Sequence, residues 1–422
     1  MVRLLNIKMK HLKKYFVPIF LVLLVLQSCD NDTKQLITAI PSPASEKSSE
    51  PNLHLSKEGQ VYLTWIEVLP DTSSILKFSM LNKNNSWSEP KSVAQGKNWF
   101  VNWADFPGLT SFGNTNLATH YLEKSANGTY TYDVKLKFSK DGGNTWGKAI
   151  TPHTDNTQTE HGFVSKLALD DQSLLSVWLD GRQYAYAEEN DSIAKEMTLR
   201  AASFDPEGKL IHEYLIDERV CDCCQTDMAM TNQGPIVVYR DRTEDEIRDI
   251  YYSRLINNIW TTPEPVHDDN WNIAGCPVNG PSISAYENTV AVAWYTMQDE
   301  NPSVKIAFSN TNGDGFEKPI TLSNVFPIGR VDVELIDENS ALVTWVDTIE
   351  YETIIQMQRI DRTGSKSEIL TLAKTSESRS SGFPRMVVKD HTAYLAYTLS
   401  GNENLSIKTL AVDLDLMAKS NN

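Results

Sequence analysis

A short apolar run that ends in an aromatic residue recurs seven times along this chain. The aromatic residues are Trp65, Tyr121, Trp178, Tyr239, Trp294, Trp345 and Tyr397, at separations of about 51 to 61 residues. A second short apolar segment, such as Leu53–Leu55, precedes each run by about ten residues. A repeat of this length is typical of one four-stranded blade. The sequence therefore predicts an all-β fold, a β-propeller with seven blades.

Seven repeats leave the last blade one strand short. The final unit ends near Asp413 with three predicted strands, and the apolar segment Leu36–Ile40 is available to supply the fourth. Pairing of the two ends would close the ring and remove an exposed strand edge. Six blades with one irregular unit is the alternative. No long amphipathic helical pattern interrupts the series, which favours an all-β chain over an α/β one.

A polar turn motif follows the aromatic runs. Its fullest copy is Ser139–Trp146, with the sequence SKDGGNTW. The glycines, Gly143 among them, permit positive φ, and the Asp141 carboxylate can accept backbone N–H bonds across the turn. Ser139–Trp146 resembles the Asp box, or BNR repeat, of sialidases and their β-propeller relatives. We assign Ser139, Asp141, Gly143 and Trp146 to folding rather than to catalysis.

The resemblance to sialidases implies an activity as well as a fold. Sialidases hold a carboxylated sugar with three arginines and hydrolyse its glycosidic bond, so the resemblance implies a glycoside hydrolase of exo-α-sialidase type. Two features depart from that family. Sialidases have six blades, and their Arg-Ile-Pro motif is absent here, where Phe383–Arg385 is only a partial match. The chain is thus similar to the wider Asp-box superfamily.

The candidate site follows from propeller geometry. Inner strands begin, and second strands end, on one face of a propeller, here called the top face. Five carboxylates come two residues after the repeated aromatics: Glu67, Glu123, Asp180, Asp241 and Asp347. The candidate catalytic residues are Asp180, Asp241 and Tyr239. Guanidinium groups bind carboxylates bidentately, and the candidate substrate-binding residues are Arg182, Arg240, Arg242, Arg330, Arg385, Trp103 and Asn279. The alternative is that these arginines and acids form ion pairs with one another.

Four cysteines form the most unusual cluster. Cys221, Cys223 and Cys224 precede the predicted inner strand of the fourth unit, and Cys276 occupies the same place in the fifth. Adjacent blades would bring them together. An even number in an exported protein favours two disulfides. The alternatives are a soft metal, Cu(I) or zinc, held by these thiolates with His161 nearby, or free redox-active thiols. No other cofactor is expected.

The N-terminus has the features of an export signal. Four lysines precede the apolar run Phe16–Leu26, which is too short to span a bilayer. The sequence Leu26-Gln27-Ser28-Cys29 resembles the bacterial lipobox, which implies lipidation of Cys29. We expect a signal peptide at 1–28, a tether and closing strand at 29–50, and one propeller domain at 51–418. The protein would be anchored in the cell envelope, on the periplasmic face or the cell surface.

The net charge limits the partners. At −16, with a pI near 5.0, the chain repels polyanions, which argues against nucleic acid and leaves membrane contact to the lipid anchor. An anionic ligand needs a local basic pocket.

We expect a monomer. Two functions remain: an enzyme that binds or hydrolyses anionic glycans at the top face, and a non-catalytic propeller that binds a glycan or a soft metal.

Overall fold

The chain folds into a seven-bladed β-propeller. The computed structural model describes residues 35–401 and 404–419, so the predicted signal peptide and Cys29 lie outside the described residues. Seven antiparallel sheets follow one another along the chain. Their inner strands contact each other in order, and the last contacts the first again. The predicted number of blades is confirmed.

The strands of the first four blades follow the repeat. A single strand, β1 (Ile37–Ile40), precedes blade 1 in the sequence. Blade 1 comprises β2 (Ser48–Leu55), β3 (Val61–Val68), β4 (Ser74–Met80) and β5 (Lys91–Gly96). Blade 2 has three strands, β6 (Leu109–Phe112), β7 (Asn116–Lys124) and β8 (Tyr132–Ser139). Blade 3 comprises β9 (His161–Asp170), β10 (Ser173–Asp180), β11 (Thr198–Phe204) and β12 (Leu210–Asp217). Blade 4 comprises β13 (Asp227–Thr231), β14 (Gly234–Arg240), β15 (Ile250–Ile256) and the short β16 (Ile259–Trp260) and β17 (Glu264–Pro265).

The remaining blades are regular. Blade 5 comprises β18 (Ser282–Tyr286), β19 (Thr289–Thr296), β20 (Ser303–Ser309) and β21 (Ile320–Ser323). Blade 6 comprises β22 (Pro327–Asp337), β23 (Ser340–Ile349), β24 (Glu352–Asp361) and β25 (Leu370–Lys374). Blade 7 contributes β26 (Arg385–Lys389), β27 (Thr392–Ser400) and β28 (Leu405–Asp413).

The first and last described strands close the ring, as predicted. β1 is the fourth strand of blade 7, because Ile37 pairs with Val412 and Ile40 pairs with Thr409 of β28. The Ile40 side chain is buried in one cluster with Trp65 of blade 1 and Tyr394 of blade 7. The first strand of the fold thus covers an edge that the last strand would otherwise expose.

The turn at 139–146 is held by local hydrogen bonds. Asp141 accepts from the Thr145 backbone N–H at 2.8 Å and from its hydroxyl at 2.7 Å. Ser139 Oγ accepts from the Gly143 N–H at 2.9 Å, and Gly143 has a φ of 77°. The Trp146 ring packs edge-on against Phe78 of blade 1, with centroids 6.1 Å apart. These contacts hold the turn together and pack it against the neighbouring blade.

Helices are few. The described residues contain α1 (Arg182–Glu189), α2 (Leu414–Lys419) and two single 3₁₀ turns, Gln298–Glu300 and Arg379–Ser381. Within this part of the chain, no helix is long and apolar enough to cross a membrane.

Candidate functional site

Three of the five carboxylates that follow the repeated aromatics are hydrogen-bond partners of those aromatics. In three blades the indole N–H donates to the carboxylate two residues later: Trp65 to Glu67 at 2.8 Å, Trp178 to Asp180 at 2.8 Å and Trp345 to Asp347 at 3.1 Å. Trp294 has no carboxylate at that offset and donates to Asp269 at 2.6 Å. All four indoles are buried. Glu67, Asp180 and Asp347 therefore satisfy the N–H groups of buried tryptophans.

Asp180 forms a bidentate ion pair with an arginine. The guanidinium of Arg182 donates through Nε to Asp180 Oδ1 and through Nη2 to Oδ2, both at 2.7 Å. Both residues are buried. Burial raises the pKa of Asp180, but the bidentate pairing with Arg182 outweighs it and leaves the pKa below its usual value. Both oxygens of this candidate catalytic residue are occupied within the fold.

His161 lies in a histidine and aspartate cluster rather than among the cysteines. Its ring stacks on His153 with centroids 3.7 Å apart and planes 5° apart. Asp155 lies along one edge of both rings, 2.9 Å from His153 Nδ1 and 3.3 Å from His161 Nε2. Burial lowers the pKa of His161, but Asp155 and Asp180 raise it to a value above the usual one.

Arg240 is fully buried and bonded to backbone. Its guanidinium donates to the carbonyl oxygens of Asn279 at 2.8 and 3.1 Å, of Arg248 at 2.6 Å and of Tyr295 at 2.7 Å. Its cationic carbon lies 4.9 Å from the ring centroid of Trp271. Arg240 thereby connects the second strand of blade 4 to blade 5.

Another buried arginine, Arg330, contacts Asn279 and Trp103, and its guanidinium also donates to backbone carbonyl groups. The Arg330 guanidinium donates to Ser381 Oγ at 2.6 Å and to the carbonyl oxygens of Glu377, Ser378 and Gly382. Its backbone N–H donates to Asn279 Oδ1 at 2.7 Å. The guanidinium stacks over Trp103 at 5.1 Å. Burial lowers the pKa of Arg330 to about 10, so it remains charged at neutral pH.

Tyr239, Asp241 and Arg242 lie at the end of β14. The buried Tyr239 hydroxyl donates to Asp217 at 2.6 Å, and burial raises its pKa well above the usual value. Burial, together with the charge of Asp217, raises the pKa of Asp241 to about 7. Arg242 pairs with Glu246 at 2.6 Å, as the alternative of mutual ion pairing predicted.

The cysteines meet, but as free thiols. The sulfur atoms of Cys221, Cys223 and Cys224 lie within 4.8 Å of one another, and Cys276 is within hydrogen-bonding reach of Cys223. Cys221 Sγ and Cys224 Sγ are 3.6 Å apart, whereas a disulfide needs about 2.05 Å. The two predicted bridges are therefore not formed: all four thiols are free. Hydrogen bonds from Cys223 and Cys224, with the charge of Arg248, lower the pKa of Cys221.

A central cavity of about 720 Å³ runs along the inner strands. It extends from Ala104–Phe106, before β6, to the turns after the inner strands, where Glu58 and Asp171 lie. None of the second-strand ends that the sequence indicated lines it. Of the seven predicted substrate-binding residues, all of which the structure describes, only Arg385 reaches this cavity.

Three aspartates in the cavity wall join neighbouring blades. Each accepts a backbone N–H from the next inner strand: Asp105 from Phe163 at 2.6 Å, Asp227 from Ile283 at 3.1 Å and Asp332 from Met386 at 2.6 Å. Asp332 also lies 3.3 Å from Arg385 Nη1, while Arg385 Nε donates to Asn52 at 3.2 Å. These contacts fix the guanidinium of Arg385 against the cavity wall.

The cavity also contains groups with spare hydrogen-bonding capacity. Glu334 accepts from Ser284 Oγ at 3.0 Å through Oε2, and burial, with the charge of Asp332, raises its pKa to about 8. Lys166 Nζ lies 2.6 Å from His120 Nδ1, and burial lowers its pKa to about 7. Burial and Lys166 lower the pKa of His54 to about 4. At neutral pH the cavity thus holds a protonated carboxyl group, a partly neutral amine and a neutral imidazole.

The half-buried Glu334 should make stability depend on pH. Its pKa is about 8 in the folded protein and 4.5 in an ordinary environment. Between these values the unfolded chain releases the proton while the folded one keeps it, so the free energy of unfolding should fall as pH rises through this range. Glu334→Gln should reduce the slope, measured by urea unfolding at several pH values. The exposed Glu338→Gln is the control; equal slopes in both variants would contradict the prediction.

Sequence reasoning did not identify Glu334, Lys166 and His54. They lie on β22, β9 and β2, and nothing in their local sequence distinguishes them from other polar strand residues. The alternation of side chains along a strand is the one signal that could identify them, because residues two apart on an inner strand share a face. Asp332 and Glu334 share the face of β22 that lines the cavity.

Comparison with known proteins identifies the fold. No protein-family model and no curated protein matches the sequence. Among solved structures, a protein of unknown function from Dyadobacter fermentans is similar with a TM-score of 0.52 at 11% identity, over 89% of this chain and 97% of that one. The polysaccharide lyase Uly1 is similar with a TM-score of 0.50 at 10% identity, over 87% and 90%. A sialidase from Streptococcus pneumoniae gives 0.44 at 11%, over 89% and 69%. At these identities the likeness concerns the fold alone.

Proposed function

We propose that this chain is an exported, lipid-anchored propeller protein that binds an acidic glycan in its central cavity and hydrolyses it. The observation that carries the proposal is the cavity, whose volume of about 720 Å³ lies within the range of about 300 to 1,000 Å³ usual for ligand pockets. Sugars bind to polar walls, and the polar groups described above line this one. The resemblance of the 139–146 turn to the Asp box of sialidases supports the same class of ligand.

Arg385 and Lys166 give this acidic protein a local site for an anion. Arg385 is fixed by Asn52 and Asp332, and its side chain retains 17% exposure towards the cavity. A guanidinium held in this way loses little freedom when it binds a sugar carboxylate. Lys166 lines the same cavity from blade 3. With a net charge of −16, the protein needs such a local site to hold an anionic ligand.

Asp332 and Glu334 supply the two carboxyl groups that glycoside hydrolysis needs. Glu334 keeps its proton at neutral pH and can donate it to a leaving oxygen. Asp332, beside Arg385, can act on a water molecule that takes the place of its 2.8 Å bond from Ser282 Oγ. Residues two apart on a strand point to the same face, and both Asp332 and Glu334 line the cavity. In this proposal the reacting groups come from β22, and Asp180, Tyr239 and Arg240 keep structural roles.

The proposal is tested with a panel of glycans that end in sialic or uronic acids. Glu334→Gln should lower kcat by roughly 100-fold or more with little change in binding. Arg385→Gln should weaken binding by roughly tenfold or more, because a hydrogen bond to a charged group contributes about 1.5 to 3 kcal/mol. The exposed Glu338→Gln and Arg379→Gln are matched controls and should behave as wild type.

The possible results separate three functions. Binding without turnover would indicate a glycan-capture lipoprotein and overturn the hydrolase. An unsaturated product would indicate elimination, the reaction type of a polysaccharide lyase. No binding of any acidic glycan, or equal losses in the test and control variants, would contradict the cavity as the site.

A further inference from the structure

We propose that Cys221, Cys223 and Cys224 form a three-thiolate site for one soft monovalent metal ion, Cu(I). This site is separate from the central cavity, because none of the three residues lines it, and it does not depend on the glycan proposal. Thiolates are the ligands that soft ions such as Cu(I) select.

The spacing of the sulfur atoms fits one ion between them. A metal bonded to three sulfurs at about 2.3 Å in a plane holds them about 4 Å apart. Cys221 Sγ and Cys224 Sγ are 3.6 Å apart, and all three sulfurs lie within 4.8 Å of one another. One ion can therefore contact all three after shifts of a few tenths of an ångström. Cys221 and Cys224 are buried, so most of the site is shielded from water.

The surroundings favour a negatively charged site. Three thiolates around a monovalent ion carry two negative charges, and burying them requires positive neighbours. Arg248 Nη1 donates to Cys221 Sγ at 3.2 Å, and the Arg248 side chain is itself only 5% exposed. The fold thus places a cation beside the sulfur atoms.

The position of Cys276 distinguishes Cu(I) from zinc. Zinc in structural sites takes four ligands, but Cys276 is not part of the group of three mutually close sulfurs. Cys276 is exposed and within hydrogen-bonding reach of Cys223.

The test uses the full chain, purified in detergent, reduced and kept free of oxygen. Cu(I) is added in competition with the chromogenic chelator bicinchoninate, and the thiols are then alkylated with iodoacetamide and mapped by peptide mass spectrometry. We expect one Cu(I) per chain, with Cys221, Cys223 and Cys224 protected and Cys276 alkylated. Loss of the hydrogen-bond partner of a metal ligand can weaken metal binding by roughly 100-fold. Cys224→Ser removes a ligand itself, so it should weaken Cu(I) binding by more than that. Cys29→Ser is the matched control and should bind as wild type.

Three results would overturn the proposal. The first is complete removal of Cu(I) by the chelator. The second is protection of all four cysteines from alkylation. The third is that protein first loaded with zinc keeps its zinc when Cu(I) is added. If Cys224→Ser does not fold, as judged by circular dichroism, the alkylation pattern of the wild-type protein still decides.

Discussion

Replacing Arg240 by methionine is expected to lower the free energy of unfolding by about 3 kcal/mol or more, since each buried polar group left unpaired costs about 1 to 3 kcal/mol. The substitution removes the donor of the carbonyl oxygens of Asn279, Arg248 and Tyr295. It also removes the stacking on Trp271. Urea unfolding of wild type and variant measures the difference.

Arg242→Met is the matched control, two residues further along the chain. Arg242 retains 22% exposure and pairs with Glu246, so its loss should cost no more than about 1 kcal/mol. Equal losses in the two variants would contradict a special structural role for Arg240. A stable Arg240→Met protein that had lost glycan binding would instead assign Arg240 to the ligand, as the sequence first suggested.

Deleting residues 1–40 is expected to cost roughly 3 kcal/mol or more relative to deleting residues 1–34, because full burial of an isoleucine contributes about 1.5 to 3 kcal/mol. The longer deletion removes β1, including the buried Ile40, and its pairing with Thr409–Val412. It also exposes the edge of β28, which favours association between chains. Thermal unfolding and light scattering measure the two effects.

The shorter deletion is the control, since it keeps every described residue of blade 7. It should unfold cooperatively and remain monomeric. If both deletions unfolded alike and neither associated, β1 would be dispensable and blade 7 would be stable as a three-stranded sheet, as blade 2 is.

The fold could be predicted because its signals are local. Each repeated aromatic lies on a second strand, and the apolar segment that precedes β2 by a few residues supplies the closing strand, as expected. These features depend on hydrophobic runs and their spacing, which a sequence displays directly.

The candidate site could be predicted only in part, because its contacts join distant residues. The meeting of the cysteines followed from their matching positions in adjacent repeats. By contrast, Asp332 reaches Met386 of the next blade, 54 residues away, and no local pattern records that contact. The acids after the aromatics have the spacing of a functional ring, but in blades 1, 3 and 6 each accepts the indole N–H two residues back. The sequence does contain that pair, as in Trp178 and Asp180.

The pairing of tryptophan and carboxylate within one strand has a consequence for the origin of the repeats. Donor and acceptor are encoded two codons apart, so a duplication of one repeat would copy both together. A new blade would arrive with its indole already satisfied, before any substitution adapted it to its neighbours. Blades 1, 3 and 6, which carry the pair, each satisfy their buried indole from within their own second strand.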